Sequence, residues 1–322
     1  MTRSAPGTFP APARLETAAP RGAQLLRNVL VSTRPAQWSK NLLVYAAFVF
    51  SAGAAWSWLD SAQWLPMLLQ ATAAFGVFSA LASAGYLLND ARDAELDRQH
   101  PRKRLRPIAA GRLSGRVAIA VAVPLAATGL GGAAILGMPF LATALGYLVL
   151  TLAYSLGLKR LVIVDLLAVA SGFGLRAVGG AAAIHVPISP WIFIVTMLGA
   201  LLLVTVKRRQ EAALAPLGAA DGSRRTVLEG YTPAFLDQVI SVATSATVVA
   251  YAMYLTTAPN LPRDHSMLVT LPIVLYGLLR FRWIADRAPD RNVDELIFRD
   301  GPLLAAVALF GVAALVVLAA HQ

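Results

Sequence analysis

A chain of 322 residues that is 57% hydrophobic and 14% charged, with a formal net charge of +11, is not an ordinary soluble protein; soluble domains carry about 25% charged residues. Its mean hydropathy of +0.62 arises from apolar runs long enough to cross a bilayer. The lack of cysteine excludes disulfides, thiolate metal sites and cysteine nucleophiles.

Residues 1–33 are polar, basic and rich in Pro and Ala, without the apolar core of a signal peptide, and read as a flexible cytoplasmic tail. Residues 34–322 read as a single transmembrane catalytic domain. Nine spans are expected at roughly 41–58, 63–88, 117–136, 138–157, 161–184, 190–206, 235–257, 266–284 and 303–320, which makes this an all-α integral membrane protein. The connections alternate in charge. Residues 1–40 and the 89–116, 158–160, 207–234 and 280–302 regions hold 26 of the 28 Lys and Arg residues. The positive-inside rule then puts the N-terminus and the large loops in the cytoplasm and the C-terminus outside. This asymmetry explains the basic excess without a nucleic-acid partner. Pro66, Pro124 and Pro139 are breakers that membrane helices tolerate. The small-residue run Gly179 to Ala183 marks close helix packing and permits a homo-oligomer.

The chemistry is concentrated on the cytoplasmic side. Asn89, Asp90, Asp93 and Asp97 end the second span, and at about 100° per residue they fall on one narrow helix face. Carboxylates crowded on one stripe need a cation between them. A hard divalent ion such as Mg²⁺, which shares its sphere with substrate phosphates, answers that need. The basic run His100 to Arg106 follows directly, and acid followed by base suits a metal-bound pyrophosphate clamped by arginine forks. Tyr154 and Lys159 precede the fifth span. Asp165 and Arg176 lie within it, ionisable groups at membrane depth that are costly and usually functional. Lys207, Arg208 and Glu211 close the sixth span, where Lys207 and Glu211 share a face. Before the first span come Arg34, Pro35, Gln37, Trp38, Lys40 and Asn41, of which Trp38 and Lys40 form an ordinary interface belt. The stretch Glu229 to Thr232 reads as a helix-entry turn. No Ser-His-Asp set, phosphate-binding loop or dinucleotide glycine pattern occurs, and the four histidines are isolated from one another.

Together these residues resemble the UbiA superfamily of intramembrane prenyltransferases. The Asn89, Asp93, Asp97 spacing resembles its first acidic motif, and Tyr154 with Lys159 its second region. The resemblance covers about residues 30–320. It implies a nine-transmembrane-helix bundle around a central cavity open to the cytoplasm, with Mg²⁺-bound pyrophosphate at the mouth and a lateral opening for lipid. One departure stands out: Asp165 is followed four residues later by Val169, so the second carboxylate pair is incomplete. The stretches around Arg34 to Asn41, Lys103 to Gly111, Lys207 to Glu211, Leu228 to Thr232 and Ile297 to Asp300 resemble the superfamily's phosphoribosyl-transferring branch. That branch joins 5-phosphoribosyl 1-diphosphate to decaprenyl phosphate, a polyprenyl phosphate, in the supply of arabinose to the cell wall. Its reaction breaks a bond between the anomeric carbon and pyrophosphate, where a prenyltransferase breaks an allylic one. The alternative is transfer of a prenyl chain from its diphosphate to an aromatic acceptor.

The expected roles follow. Asn89, Asp90, Asp93 and Asp97 hold Mg²⁺ and the donor pyrophosphate, with Asp93, Asp97 and Lys159 at the catalytic centre. The resemblance assigns Lys40, Asn41, Lys103, Arg106, Tyr154 and Lys159 to donor phosphates or ribose. Lys207, Arg208 and Arg176 are candidates for the lipid phosphate, beside Glu211, and Asp165 completes the metal shell or orients Lys159.

Overall fold

The computed structural model describes residues 22–100, 103–213, 226–288 and 293–321, and their regular structure is helical. The helices are α1 (Gly22–Ser32), α2 (Ala46–Phe50), α3 (Ser61–Arg92), α4 (Ala94–Gln99), α5 (Gly115–Ile135) and α6 (Met138–Leu156). They continue with α7 (Val164–Ala183), α8 (Pro190–Ala213), α9 (Pro233–Thr257), α10 (Leu271–Arg287), α11 (Val293–Arg299) and α12 (Gly301–Ala320). Eight of the described helices are long and apolar enough to cross a membrane.

Local chemistry sets several starts. Asp60 accepts from the Ala62 N–H at 2.9 Å and begins α3. Ser114, Thr232 and Asp300 accept from N–H groups three residues on and begin α5, α9 and α12. These side chains take up donors that a helix start leaves unpaired. Proline in the first turn of α6, α9, α10 and α12 has no N–H to leave orphaned.

The expected first span is not a regular α-helix. Arg34 sits in the left-handed region at φ 54°, and Pro35–Tyr45 then runs as a 3₁₀ helix into the five-residue α2. Long 3₁₀ runs are uncommon because their hydrogen bonds are poorer, so tertiary contacts hold this one. Asn41 is fully buried and donates to Ser79 Oγ at 3.0 Å. A Cβ on Gly180 would overlap the Val44 carbonyl oxygen, so the 3₁₀ backbone lies directly on α7. Gly180→Ala is therefore expected to lower the melting temperature in detergent by about 3–10 °C, through overpacking against a backbone atom. An unchanged melting temperature would remove the close approach as a reason for the glycine.

Part of the expected flexible tail is also ordered. Gly22–Ser32 is a helix whose Leu25 and Val29 pack on α3 and α5, and Asn28 donates to the Arg112 carbonyl at 3.1 Å. Residues 1–21 of that tail lie outside the described residues, as do Arg102 and residues 214–225 of the 207–234 loop. The core is a set of interhelical clusters. The largest packs Phe78, Leu81, Phe140 and Tyr147 between α3, α6 and α7, with Phe78 edge-on to Phe140 and to Tyr147.

Among the described residues two cavities stand out, and neither is lined by Asn89, Asp93 or Lys159. One of about 510 Å³ is bordered by Phe50, Ala181, Trp191, Tyr254 and Asn260. The other, of about 310 Å³, is an apolar recess between α8, α10 and α12.

Candidate active site

The end of α3, the α6–α7 turn and the end of α8 meet at one end of the bundle and bring most of the sequence-predicted residues together. The acidic stripe is not one continuous helix. α3 stops at Arg92, and Asp93, at φ −89° and ψ 9°, forms the joint to α4. Helical spacing survives across the joint, because the Asp93 N–H donates to Asn89 O at 2.9 Å and the Asp97 N–H to Asp93 O at 2.8 Å.

The four side chains divide into two pairs. Asp90 and Asp97 are buried, with side-chain exposures of 3% and 5%, and Arg106 Nη1 bridges them at 3.1 and 2.6 Å. Arg34 Nη2 adds a fork on Asp90 at 2.5 and 2.7 Å, while its guanidinium lies over the Tyr86 ring. Buried carboxylates persist only when paired in this way. Asn89 and Asp93 are only half-buried. Lys159 Nζ reaches Asn89 Oδ1 at 3.3 Å and Asp93 Oδ2 at 2.5 Å, and the Lys159 and Asp93 side chains are 19% and 20% exposed. The stripe thus presents one accessible oxygen pair on a buried, arginine-locked base.

The second cluster is drier. Asp165 is fully buried, and its carboxylate accepts from Arg208 Nε at 2.6 Å, Arg208 Nη2 at 3.0 Å and Tyr154 Oη at 2.7 Å. Arg208, 3% exposed, also donates to Glu211 at 2.8 Å and to Tyr154 Oη at 3.1 Å. The Arg208 fork is thus shared among two carboxylates and a phenol, and the Asp165 carboxylate is bonded by Arg208 and Tyr154. Lys207 is exposed at the same helix end. His100 stands between the clusters. Burial, then Lys103, pushes its imidazole below the usual range, while Asp97 and Glu211 pull it up. The Lys103 N–H approaches His100 Nδ1 at 3.4 Å.

Two expected contacts, Asn41 and Arg176, lie elsewhere, and Lys40 makes a local one. Lys40 Nζ donates to Gln37 Oε1 at 2.6 Å, a local contact within its own turn. Arg176 lies three turns beyond Asp165 on α7, about 16 Å deeper at ~1.5 Å per residue. Its guanidinium donates to Asn41 Oδ1 at 2.6 Å, the Gly172 carbonyl at 2.7 Å and Tyr147 Oη at 2.8 Å, and stacks on Tyr147 and Phe173. Arg176 and Asn41 therefore tie the 3₁₀ segment to α6 and α7, at a depth that does not reach the donor end. Neutral acceptors and aromatic faces fill the role of the carboxylate expected beside a buried arginine.

Sequence reasoning missed Arg34 as a site residue. The one local signal is its place directly before Pro35, where the chain turns into the first span; its partner Asp90 is remote in sequence.

Helices long and apolar enough to cross a membrane surround a buried ionic cluster at one end. The chain belongs to the UbiA prenyltransferase family, whose pattern matches residues 44–300. It is 34% identical over 295 residues, 90% of this chain and 95% of the relative, to a decaprenyl-phosphate phosphoribosyltransferase of Mycobacterium tuberculosis. It is 39% identical over 238 residues, 71% of this chain and 68% of the relative, to the Corynebacterium glutamicum protein of that name. A solved UbiA homolog from Archaeoglobus fulgidus, bound to GPP and Mg²⁺, superposes with a TM-score of 0.69 at 18% identity, covering 90% of this chain and 99% of the other. That likeness concerns the fold.

Proposed function

We propose that this protein transfers the 5-phosphoribosyl group of 5-phosphoribosyl 1-diphosphate to decaprenyl phosphate or a related polyprenyl phosphate, releasing pyrophosphate, with Mg²⁺ as cofactor. The observation that carries the reading is the charge arrangement at the end of α3: an accessible oxygen pair, Asn89 and Asp93, beside the cations Lys159, Arg106 and Arg34. The phosphoribosyltransferases similar to this chain support it. So does the second cluster. The Asp165 carboxylate is consumed by Arg208 and Tyr154, so the second acidic pair of a prenyl-diphosphate site has no counterpart there.

The residues fit Mg²⁺. Asn89 and Asp93 offer hard oxygen donors already arranged around one positive charge, the Lys159 ammonium. Among the described residues no three His, Asp or Glu side chains converge on one point; Mg²⁺ often takes only one or two carboxylates, with waters and substrate phosphates completing its shell. In this reading Asn89 and Asp93 are the protein's direct ligands, and Asp90 and Asp97 act through Arg106. When bound, Mg²⁺ stabilises the charge developing on the departing pyrophosphate. Lys159 contributes a second fixed positive charge against the same oxygens, and Arg106 is held ready by two carboxylates, so neither reorganises during the reaction. The lipid phosphate is already ionised at neutral pH, so the attack on the anomeric carbon needs no general base.

In this reading the ionic end faces the cytoplasm of the plasma membrane, the C-terminus lies outside, and the product feeds arabinan precursor supply. The 3₁₀ segment and α2 form a ninth crossing. Its 11 and 5 residues, at ~2.0 and ~1.5 Å per residue, reach about 30 Å. A cysteine-free chain makes the orientation simple to check. Ser189→Cys, at the far end beside α8, is expected to react with an impermeant maleimide from outside and Ser114→Cys from inside; cytoplasmic labelling of Ser189→Cys would overturn the orientation.

The function is tested by pyrophosphate release from purified protein. Release that requires both 5-phosphoribosyl 1-diphosphate and polyprenyl phosphate is expected. Release that needs a prenyl diphosphate and an aromatic acceptor would favour prenyl transfer.

A further inference from the structure

The segment that joins the two ionic clusters is strained. Ile163 has φ 68°, rare for a β-branched residue, and the Val164 N–H closes a three-residue turn onto the Val162 carbonyl at 2.8 Å. This is the strained form of γ-turn, and such geometry persists only where surroundings over-determine it. Lys159, which meets Asn89 and Asp93, lies just before the turn. Asp165, which holds Arg208 and Tyr154, lies just after it, and its own N–H donates to Leu161 O at 2.9 Å. A change in the turn therefore moves both clusters.

What holds the turn comes from the start of α9. The Ile163 N–H donates to Tyr231 Oη at 2.8 Å. The Tyr231 ring is buried among Leu166, Val204, Leu228 and Leu236 and stacks on Phe235. Burial raises the phenol above its ordinary range. Gly230 brings the backbone so close to the turn that a Cβ there would overlap the Val162 side chain. The turn itself is exposed, with Ile163 48% accessible, so the bond from its N–H to the buried Tyr231 ring is what ties it to the body of the protein.

We propose that Tyr231 is a positioning residue for the transfer reaction: its hydroxyl locks the Ile163 turn and thereby sets Lys159 against Asn89 and Asp93. The role rests on the function proposed above, but the lock itself is observable without turnover.

The test compares wild type, Tyr231→Phe and Tyr231→Phe/Ile163→Gly in detergent. Tyr231→Phe keeps the ring and its packing and removes only the hydroxyl. It is expected to lower kcat/KM for the phosphoribosyl donor about tenfold, with KM for the lipid phosphate little changed, and to speed amide exchange at residues 161–165 about tenfold. Glycine tolerates positive φ without strain, so Ile163→Gly in the Tyr231→Phe background is expected to recover most of the lost donor kcat/KM. A purely structural tyrosine would lower folded yield without a split between the substrates and without glycine rescue. Unchanged exchange and unchanged donor kinetics in Tyr231→Phe would overturn the proposal. If wild type shows no transfer between these substrates, the functional reading fails, and the exchange rates still decide whether Tyr231 holds the turn.

Discussion

Asp93→Asn lowers turnover by about 10²–10³-fold and leaves the protein folded in detergent. The size of the loss comes from where Asp93 stands. Its carboxylate is partly exposed and shares Lys159 with Asn89, whereas Asp90 and Asp97 are locked under arginines. Replacing the charge by an amide keeps the shape and removes the anion that would hold the metal against the donor. Little stability is at stake, because a half-open ion pair of this kind contributes at most about 1 kcal/mol. Melting within a few degrees of wild type, together with lost turnover, is the expected pair of results. Retention of more than about a tenth of the activity, still dependent on Mg²⁺, would dismiss Asp93 as a metal ligand.

The second large effect is on folding. Asp165→Asn leaves the Arg208 guanidinium, 3% exposed, without its principal counter-charge, and breaking a buried pair from one side costs about 3–5 kcal/mol. A fall of about 10 °C or more in detergent melting temperature is expected. Asp165→Leu combined with Arg208→Met removes both charges and should melt closer to wild type, since well-packed apolar replacements of buried pairs are often neutral. If the single variant melted like wild type, the Asp165–Arg208 pair would carry no weight in the fold. If the double variant melted as low as the single, the loss would be one of packing rather than of charge.

Much of this was legible in sequence because bilayers impose simple rules. The apolar runs from 63 to 320 correspond to the eight regular spans, and the Lys and Arg distribution gave a single loaded side. The Asn89 to Asp97 spacing marked the acidic stripe, and the pairing of Lys159 with it agrees with the region singled out from Tyr154 to Lys159. The remainder depends on partners distant along the chain. Nothing near Asp90 announces Arg34, and nothing near Asp165 announces Arg208 as its partner. Arg176 and Asn41 look like substrate ligands by residue type, yet they bond each other across the 3₁₀ segment. That segment itself escaped notice because its apolar content is that of an ordinary span; the close contact of Val44 with Gly180 has no one-dimensional signature. The Ile163 turn is invisible for the opposite reason, since a β-branched residue argues against positive φ.

A phosphoribosyl group that moves from a water-soluble diphosphate to a lipid phosphate changes phase, so its transfer can be counted directly. The most direct measurement incubates the purified protein in detergent with Mg²⁺, ribose-labelled 5-phosphoribosyl 1-diphosphate and decaprenyl phosphate, then counts label in the organic phase. Label that enters the lipid phase and is abolished by EDTA is the predicted result. Folded protein that leaves all label in the aqueous phase, while consuming a prenyl diphosphate with an aromatic acceptor, would contradict it.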